Sequence, residues 1–370
     1  NKEHETVYKI KGGKIMEKRQ PWISVVMPVY NAQDYLADSI ESVLNQSFRD
    51  LELIVVDDCS SDNSREVCKR YVEQDERVRL IQLKENIGAG MARNRGIQAA
   101  SGRYLAFMDA DDIIETGLYK KAVDASEDGR VDMIVWGATE RFYNSDGDVV
   151  SENPILPEKG IWKEKREIAS EALTLEKNTL LGYQWNKLYR RETAEKYEIR
   201  FEKAVLYEDF FFTIRMLEHS ESLAAVDTAG YIYNKRFNGS ITTKFVKEYF
   251  ELSRRRVYEM YRFCQRRDIL EEAVDILGVI YLRYILSGLM RNADPQSKMK
   301  GSQQKTWVHC VARDELYLRT AAMCRVENPA LKLLQNSLNK KRIQSCLLLG
   351  KGVYEARKYG PLLFEKIKRK

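Results

Sequence analysis

The chain has 370 residues, enough for two or three domains around a large buried core. Its 44% hydrophobic and 31% charged residues are ordinary for a globular protein. The six cysteines form no CxxC pair and there are only three histidines, which argues against structural zinc, a disulfide framework and a histidine-built metal centre. This cysteine usage is typical of a reducing, cytoplasmic setting.

The two ends of the chain differ in character. Residues 1–20 are polar and rich in lysine, and they lack the apolar core of a signal peptide, so we expect a flexible extension. The net charge of +6 is concentrated at the other end, where residues 332–370 contain many more lysines and arginines than acids. Such a tail is a candidate for contact with an anionic surface.

Apolar runs alternate with helical patterns through the first part of the chain. Strands are predicted over residues 23–27, 51–56, 78–83, 104–108 and 131–136, with helices between them. This alternation predicts βαβ units and a mostly parallel sheet covered on both faces.

Polar side chains follow several of these strands directly: Asn31, then Asp57 and Asp58, then Asp109, Asp111 and Asp112. Ligands of open α/β sheets bind beyond the carboxyl ends of the strands. Clustered carboxylates repel one another unless a cation lies between them, and a hard divalent ion, Mn²⁺ or Mg²⁺, suits oxygen ligands. The alternative is an acidic turn that caps the next helix.

Later segments are predicted more coarsely. We expect a hairpin over residues 138–150, a helix over 163–175, and an apolar helix that begins at Glu208 and Asp209. Short strands are predicted at 223–226 and 231–233, and helices follow from about residue 243. The most apolar of these, over 273–290, contains Asp275 and Arg283, which favours a buried amphipathic helix over a membrane span.

Four ordered blocks now show a family resemblance. They read SVVMPVYN (24–31), VDDCSSDNS (56–64), NIGAGMARNRG (86–96) and GRYLAFMDADD (102–112). With WNKLYR (185–190) and YEDFFF (207–212), residues 23 to about 240 resemble the family 2 glycosyltransferases that build bacterial surface polysaccharides. The resemblance implies an α/β GT-A fold, Rossmann-like with a mostly parallel central sheet and flanking helices, to which this chain adds a helical C-terminal extension.

The implied domain organisation has three parts. Residues 1–20 would form the extension, and 21–242 the GT-A domain, with a nucleotide-binding half (21–115) and an acceptor half (116–242). Residues 243–370 would form the helical region with its basic tail, which no motif of the resemblance covers.

The resemblance also assigns roles on the donor side. Pro28, Tyr30 and Asn31 would line the nucleotide pocket, and Asp58, with Asp57 beside it, would accept a hydrogen bond from the uracil imide. Further residues complete this side: Arg93 facing the base or the diphosphate, Asp111 as the main metal ligand, Asp109 as its partner toward ribose and metal, and Asp112 as a helix cap.

The implied reaction is an inverting single displacement. An acceptor hydroxyl needs a carboxylate base when it attacks, and Asp209 is the favoured candidate, with Glu208 as the alternative. A purely structural helix start remains open for this Glu-Asp pair. The implied donor is a nucleotide-diphosphate sugar, and UDP-sugar is favoured.

Four residues are assigned to the acceptor and diphosphate side on weaker grounds. Trp185 is either a sugar-stacking platform or plain core, and Lys187 either pairs with phosphate or is solvated. Arg236 and Ser240 belong to a stretch, NKRFNGS (234–240), that resembles a late family motif near the diphosphate.

The expected partners are a nucleotide sugar and a glycan or lipid-linked acceptor. Basic and apolar residues alternate over 351–370, which suits peripheral contact with an anionic membrane at its cytoplasmic face, although a solvated helix face fits the same pattern. No nucleic-acid motif is found, so nucleic acid is not an expected partner. The rival functions are a sugar-nucleotide nucleotidyltransferase and a catalytically silent sugar-nucleotide or glycan-binding module.

Overall fold

The structure, a computed structural model, describes residues 10–11, 14–15, 20–204, 206–236 and 245–359. Its strands are β1 (Ile10–Lys11), β2 (Lys14–Ile15), β3 (Ile23–Val29), β4 (Leu51–Asp57), β5 (Val78–Gln82), β6 (Tyr104–Phe107), β7 (Ile113–Ile114), β8 (Met133–Tyr143), β9 (Val149–Ile155), β10 (Gly160–Trp162), β11 (Lys187–Arg190) and β12 (Leu223–Lys235). Its helices are α1 (Leu36–Leu44), α2 (Ser64–Gln74), α3 (Ala89–Ala99), α4 (Leu118–Asp124), α5 (Lys165–Lys177), α6 (Arg191–Lys196), α7 (Glu208–Glu218), α8 (Tyr249–Arg266), α9 (Leu270–Ala293), α10 (Gly301–Val311), α11 (Glu315–Arg319), α12 (Pro329–Asn339) and α13 (Ile343–Tyr359).

One large sheet organises the first two thirds of the chain. Its strand order is β10-β12-β8-β11-β6-β3-β4-β5, with β7 on β12 and β9 on β8. The strands β6, β3, β4 and β5 are parallel neighbours, joined by helices because parallel strands need crossover connections. The strand β11 runs antiparallel to both β6 and β8, so the sheet is mixed on the far side of β6.

Both faces of the parallel half are covered. All seven residues of β4 are buried, as expected of a strand that is apolar apart from Glu52 and Asp57. Along β3, Val26 contributes to one hydrophobic core while Val25 and Met27 contribute to the other. This alternation follows from the period of two along a strand, and it fixes which face each helix covers.

The strand β12 differs from the sequence-based prediction. Two separate strands were expected, but one strand runs from Leu223 to Lys235, with an irregularity in its pairing to β8 between Val226 and Tyr231. The apolar pattern breaks there because Asp227 is exposed, while pairing on either side keeps the strand continuous. This length carries Tyr231 and Asn234 to the carboxyl edge of the sheet.

The C-terminal helices share a core with the sheet. A single buried cluster includes Val26 and Phe107 from the sheet, Phe210 from α7, and Val257 and Leu282 from α8 and α9. Within the described residues, α9 is the one helix long and apolar enough to cross a membrane, by length and composition only, and half of its most apolar window is buried. The boundary predicted at 242/243 lies outside the described residues.

Candidate active site

The carboxyl ends of β3, β4 and β6 place three polar segments at one edge of the sheet. Val29 pairs in register with Asp57, and Val26 with Phe107. The segments that begin at Tyr30, Asp58 and Asp109 therefore leave the sheet side by side, as the sequence predicted.

Asn31 ties the loop after β3 to the loop after β4. Its backbone has a φ of 50°, its Oδ1 accepts a hydrogen bond from the backbone N–H of Ser61 at 2.8 Å, and its own N–H donates to Ser60 Oγ at 3.1 Å. Tyr30, next to it, leaves 53% of its surface exposed, and Pro28 is partly buried. An exposed aromatic side chain beside a fixed loop is suited to contact with a planar base.

The two acids after β4 are both buried. Asp57 accepts hydrogen bonds from the backbone N–H of Ser60 at 3.1 Å and from Arg65 Nε at 2.9 Å. The oxygens of Asp58 accept one hydrogen bond each, from the backbone N–H groups of Ile87 and Gly88, both at 2.8 Å. Because a carboxylate offers about four lone-pair sites, Asp58 retains acceptor capacity for a ligand.

Arg93 occupies the centre of the edge. It lies on α3, which approaches β3 so closely that a Cβ on Gly96 would lie 2.2 Å from Val26 Cγ1. The guanidinium is buried and donates to Asp109 Oδ1 at 2.7 Å and to Asp209 Oδ1 at 3.1 Å. Although burial opposes the shift, the charges of Asp209, Asp109 and Glu208 raise the pKa of Arg93, which keeps it a cation.

The three acids after β6 have different surroundings. Asp109 accepts from Arg93 and, at 3.2 Å, from Gln184 Nε2. The side chain of Asp111 is 53% exposed, and its nearest cation is Arg236, at 3.8 Å from Oδ2 to Nη1. Partial burial and the charge of Asp109 raise the pKa of Asp111. Asp111 is thus the most exposed member of the trio.

Asp112 does not cap a helix, so that prediction is wrong. Its carboxylate is fully buried and accepts hydrogen bonds from the Tyr231 hydroxyl and the Asn234 backbone N–H, both at 2.8 Å. The next helix, α4, begins later, after Gly117. Burial and the charges of Asp111 and Asp109 raise the pKa of Asp112 well above its ordinary value. Asp112 joins the acidic loop to β12, a partner more than a hundred residues away in the chain.

Asp209 reaches this edge from a later part of the chain, 116 positions after Arg93. It lies in the first turn of α7, and its contact with Arg93 brings it to the same guanidinium that holds Asp109. Burial raises the pKa of Asp209 to about 7, although Arg93 opposes the shift. Glu208 packs against α3, since a Cβ on Gly90 would lie 3.3 Å from Glu208 Cγ.

Trp185 is a core residue, which decides between the two interpretations of this side chain. It is 3% exposed and stacks between Tyr231, at 4.1 Å and 9°, and Tyr183, at 4.5 Å and 20°. Both faces of the indole are therefore covered by protein, and neither is free to stack on a sugar.

Lys187 is neither solvated nor free to bind phosphate, so both interpretations of it are wrong. It is fully buried, and Nζ donates to the backbone oxygens of Leu180 and Tyr183, at 2.9 and 2.6 Å, and to Asn186 Oδ1 at 2.6 Å. These contacts use all three N–H groups of the ammonium. Burial lowers the pKa of Lys187 well below its ordinary value. Its hydrogen bonds to Leu180, Tyr183 and Asn186 hold the loop that carries Gln184.

Arg236 lies beside the acidic loop, as expected for a residue on the diphosphate side. Its Nη1 donates to the backbone oxygen of Asp111 at 2.9 Å, and its guanidinium lies 3.8 Å from the ring centroid of Tyr35. Ser240 lies outside the described residues.

Sequence reasoning missed three residues of the site: Gln184, Tyr231 and Asn234. Gln184 is 1% exposed and contacts Asp109, while the hydroxyl of Tyr231 accepts from the Asp109 N–H at 3.3 Å. The one sequence signal for Gln184 is its position directly before WNKLYR (185–190). No spacing rule identifies a single amide side chain as a site residue. The other two lie on the strand predicted to be broken.

The carboxylates present suit a divalent ion. Mg²⁺ is commonly held by one or two carboxylates together with substrate phosphates and water, and Asp111 with Asp109 supplies such a pair. Among the described residues, no group of three or more His, Cys, Asp or Glu side chains is arranged to hold a metal. An ion held by these two carboxylates would keep further positions for phosphate oxygens and water.

Comparison with known proteins gives the same family as the motifs. Residues 24–198 match the family model described as glycosyl transferase family 2. EpsH of Bacillus subtilis (strain 168), named as a glycosyltransferase, is 31% identical over 260 residues, 68% of this chain and 72% of EpsH. TuaG of the same organism, named for teichuronic acid biosynthesis, is 47% identical over 97 residues, 26% of this chain and 38% of TuaG.

The fold has a counterpart among solved structures. The crystal structure of Staphylococcus aureus TarS residues 1–349, in complex with UDP-GlcNAc, covers 92% of this chain and 92% of its own, with a TM-score of 0.64 and 20% sequence identity. At that identity the likeness establishes the fold. The chain is therefore a member of glycosyl transferase family 2, an enzyme with the GT-A fold and a helical C-terminal region.

Proposed function

We propose that this glycosyltransferase moves a sugar from a UDP-sugar to an acceptor hydroxyl by a single displacement with inversion. The observation that carries the proposal is the bridge made by Arg93, which contacts Asp109 at 2.7 Å and Asp209 at 3.1 Å. One acid belongs to the donor-side loop and the other to the acceptor half. A direct displacement needs a group that holds the donor diphosphate on one side of the reacting carbon and a base for the acceptor hydroxyl on the other.

The donor side is built from the loops after β3, β4 and β6. Tyr30 would lie against the base, Pro28 and Asn31 would line the pocket, and Asp58, with Asp57 shaping its loop, would accept from the uracil imide. The UDP-GlcNAc complex of TarS, a protein of the same fold, supports a uridine nucleotide. The spare lone pairs of Asp58 give the imide N–H an acceptor.

Asp111 and Asp109 would hold a divalent ion, Mn²⁺ or Mg²⁺, with Asp111 as the principal ligand. When bound, such an ion stabilises the negative charge that develops on the leaving diphosphate. Arg236, anchored to the Asp111 backbone, would present a cation to the same group. Asp109 is held in place by Arg93 and Gln184, so its free oxygen has a fixed direction.

Asp209 would be the general base. A base is most effective when its pKa lies near the working pH, and burial brings the pKa of Asp209 to about 7. Arg93 fixes one of its oxygens. The other oxygen would accept the proton of the acceptor hydroxyl. Glu208 would shape the field around this pair, because its charge acts on both Arg93 and Asp209.

The acceptor would be a glycan or a lipid-linked saccharide of bacterial surface polysaccharide synthesis. TuaG, named for teichuronic acid biosynthesis, shares 47% identity with a quarter of this chain and supports that assignment. Membership of a glycosyltransferase family speaks against the nucleotidyltransferase alternative. The presence of Asp58, Asp109, Asp111 and Asp209 together speaks against a silent module.

The test begins with thermal shift measurements on a panel of nucleotides and nucleotide sugars with Mn²⁺, followed by turnover of the hits. We expect UDP and a UDP-sugar to raise the melting temperature. Asp209→Asn is expected to lower turnover by about 10²–10⁴-fold while the shift with UDP is retained.

Glu208→Gln is the matched control, since it neutralises the adjacent acid. It is expected to lower turnover much less than Asp209→Asn. Near-normal turnover in Asp209→Asn would overturn the base assignment, and a protein stabilised by no nucleotide sugar would overturn the donor assignment.

The basic tail would give the enzyme peripheral contact with an anionic membrane, at its cytoplasmic face. At the described end of α13, Leu348 and Tyr359 are 69% and 75% exposed, and Lys351 and Lys358 are exposed beside them. Apolar and basic side chains on one helix favour an anionic lipid surface. A lipid-linked acceptor would make such contact useful.

Liposome flotation tests this contact with the full chain and with a chain that ends at residue 350. The full chain is expected to float with vesicles that contain anionic phosphatidylglycerol and to stay in solution with phosphatidylcholine alone. Equal flotation of the two chains would reject the contact.

A further inference from the structure

Tyr207, the residue before Glu208 and Asp209, has a strained backbone. Its φ of 66° and ψ of 14° place it in the left-handed region, which non-glycine residues rarely adopt and which disfavours a bulky side chain. Such a conformation persists only where the surrounding structure holds it, and it is often found at functional sites. In this chain it sets the direction in which α7 leaves the preceding loop.

The side chain of Tyr207 is held by helices of the C-terminal region. Its hydroxyl lies 3.1 Å from Ser253 Oγ on α8, and its ring meets the ring of Tyr284 on α9 at a centroid distance of 6.0 Å and an angle of 61°. The guanidinium of Arg256, also on α8, lies 5.1 Å from the centre of the same ring. The groups that fix this backbone therefore come from beyond residue 245.

Arg256 contacts two further segments that reach the site. It lies 4.4 Å from the ring centre of Phe210 on α7, and its Nη2 atom would lie 2.7 Å from a Cβ on Gly182. Gly182 is two residues before Gln184, whose amide donates to Asp109. One side chain of α8 thus packs against both the start of α7 and the loop that holds the donor-side acid.

Arg256 is itself firmly held. It makes a bidentate pair with Glu176 of α5, with Nη2 at 2.8 Å from each carboxylate oxygen, and the two side chains are only 13% and 5% exposed. Bidentate pairs fix orientation as well as charge, which a lysine cannot reproduce. The guanidinium is therefore a rigid surface for Tyr207 and Phe210.

We propose that Tyr207 and Arg256 are positioning residues, through which the helical C-terminal region aims Asp209 at the acceptor hydroxyl. The inference rests on the proposed role of Asp209. It gives the C-terminal helices a part in the reaction, since they supply the hydrogen bond and ring contacts that hold the side chain at the strained turn. Small displacements of a reacting group lower turnover steeply, by about 10²-fold for 1 Å.

The test compares one substitution at two positions of α8, in the full chain. Arg256→Lys keeps the charge and loses the bidentate, planar contact, and it is expected to lower kcat by about tenfold or more while Kd for UDP stays within about twofold. Arg254 lies on the same helix as Arg256 and pairs with Asp314, the residue before α11. Arg254→Lys alters that ion pair and is expected to keep kcat within about twofold. A decrease in kcat shared equally by both variants would overturn the proposal.

Substitutions of Tyr207 give an independent measurement. Tyr207→Phe keeps the ring and is expected to retain kcat within about threefold. Tyr207→Gly can adopt the same left-handed backbone conformation but loses the side-chain contacts, and it is expected to lower kcat by at least about tenfold. Hydrogen exchange of the amides in 208–212 should quicken in Tyr207→Gly and Arg256→Lys. Normal kcat and normal exchange in both would reject the proposal.

Failure of this inference and failure of the proposed function give different results. If Asp209 is not the base, Asp209→Asn retains turnover, whatever the Arg256 variant does. If the base assignment holds but the positioning does not, Asp209→Asn loses turnover while Arg256→Lys keeps both its kcat and its exchange rates.

Discussion

At the scale of residues, three acids within four positions have three different environments. Asp109 is held by Arg93 and Gln184, Asp111 is half exposed, and Asp112 is fully buried beneath β12. Their environments differ because the loop turns back toward β12 immediately after β6 ends. Asp111 is thus the most open of the three, and among the described residues Asp109 keeps one oxygen free, since Arg93 and Gln184 both contact Oδ1.

Alanine substitutions at the two adjacent positions separate binding from stability. Asp112→Ala leaves the Tyr231 hydroxyl and the Asn234 N–H without their acceptor, so it should lower the free energy of unfolding by about 1–3 kcal/mol. Asp111→Ala should change stability by less than about 0.5 kcal/mol, and it should remove the dependence of UDP binding on Mn²⁺. Urea unfolding and calorimetric titration measure the two effects, and equal destabilisation by both would contradict this division.

A second prediction concerns Glu171 on α5. Burial, with a contribution from Glu158, raises the pKa of Glu171 to about 7, and among the described residues its Oε1 has no hydrogen-bond partner. A carboxyl with a raised pKa in the folded state binds more protons folded than unfolded. Its contribution to stability is therefore fully present below its ordinary pKa of about 4.5 and is lost as the pH rises through about 7.

Glu171→Gln should therefore change the free energy of unfolding more favourably at pH 8 than at pH 4.5, by at least about 1 kcal/mol. The matched control is Glu167→Gln, which changes an exposed residue of the same helix and should stay within about 0.5 kcal/mol at both values. Urea unfolding at the two pH values measures the difference. A gain that does not depend on pH would count against a protonated Glu171.

At the scale of elements, the position of Arg93 depends on how closely α3 approaches β3. Gly96 faces Val26 with no room for another carbon, since a Cβ there would lie 2.2 Å from Val26 Cγ1. Gly96 lies three residues after Arg93, so one turn of helix links the contact to the guanidinium. The glycine in ARNRG (92–96) is therefore a packing requirement.

Gly96→Ala should destabilise the protein by about 1–3 kcal/mol, because the added methyl group overpacks the contact with β3. Gly352→Ala is the matched control in α13, where a Cβ meets nothing within 4 Å, and it should stabilise the protein by up to about 1 kcal/mol. Thermal melts of both variants show whether each substitution raises or lowers stability. Stabilisation by both substitutions would show that helix propensity, not packing, governs Gly96.

The elements also show where sequence reasoning failed. Trp185 and Lys187 belong to a short stretch of polar and aromatic residues, a pattern that is compatible with either a ligand-binding surface or a buried core. Tyr231, which stacks on Trp185, comes from a different strand, β12. Tyr183 and the three acceptors around Lys187 are brought into place by the fold of the loop before β11. No local pattern encodes them.

At the scale of the whole molecule, the C-terminal helices and the sheet share one hydrophobic core. Phe210 and Phe212 of α7 belong to the same buried cluster as Val257 of α8 and Leu282 of α9. The predicted boundary at 242/243 marks a change in composition. We do not expect it to mark an independent folding unit.

The full chain should therefore unfold in one cooperative thermal transition. A chain that ends at residue 242 would expose the apolar face of α7 and lose the support of Tyr207, and it should lack the near-ultraviolet circular dichroism of a packed core. Calorimetry and circular dichroism measure both properties. A cooperative transition in the shorter chain would contradict the shared core.

The sequence by itself determined the family, the parallel half of the sheet and the strand ends that carry the acids, because these depend on local periodicity and on four ordered motifs. Tertiary structure decided what each polar residue does. It buried Asp112, Trp185 and Lys187, brought Asp209 to Arg93 across 116 positions of chain, and set α8 against the turn at Tyr207. Burial and charge pairing depend on contacts between distant segments, and these contacts become visible only once the chain is folded.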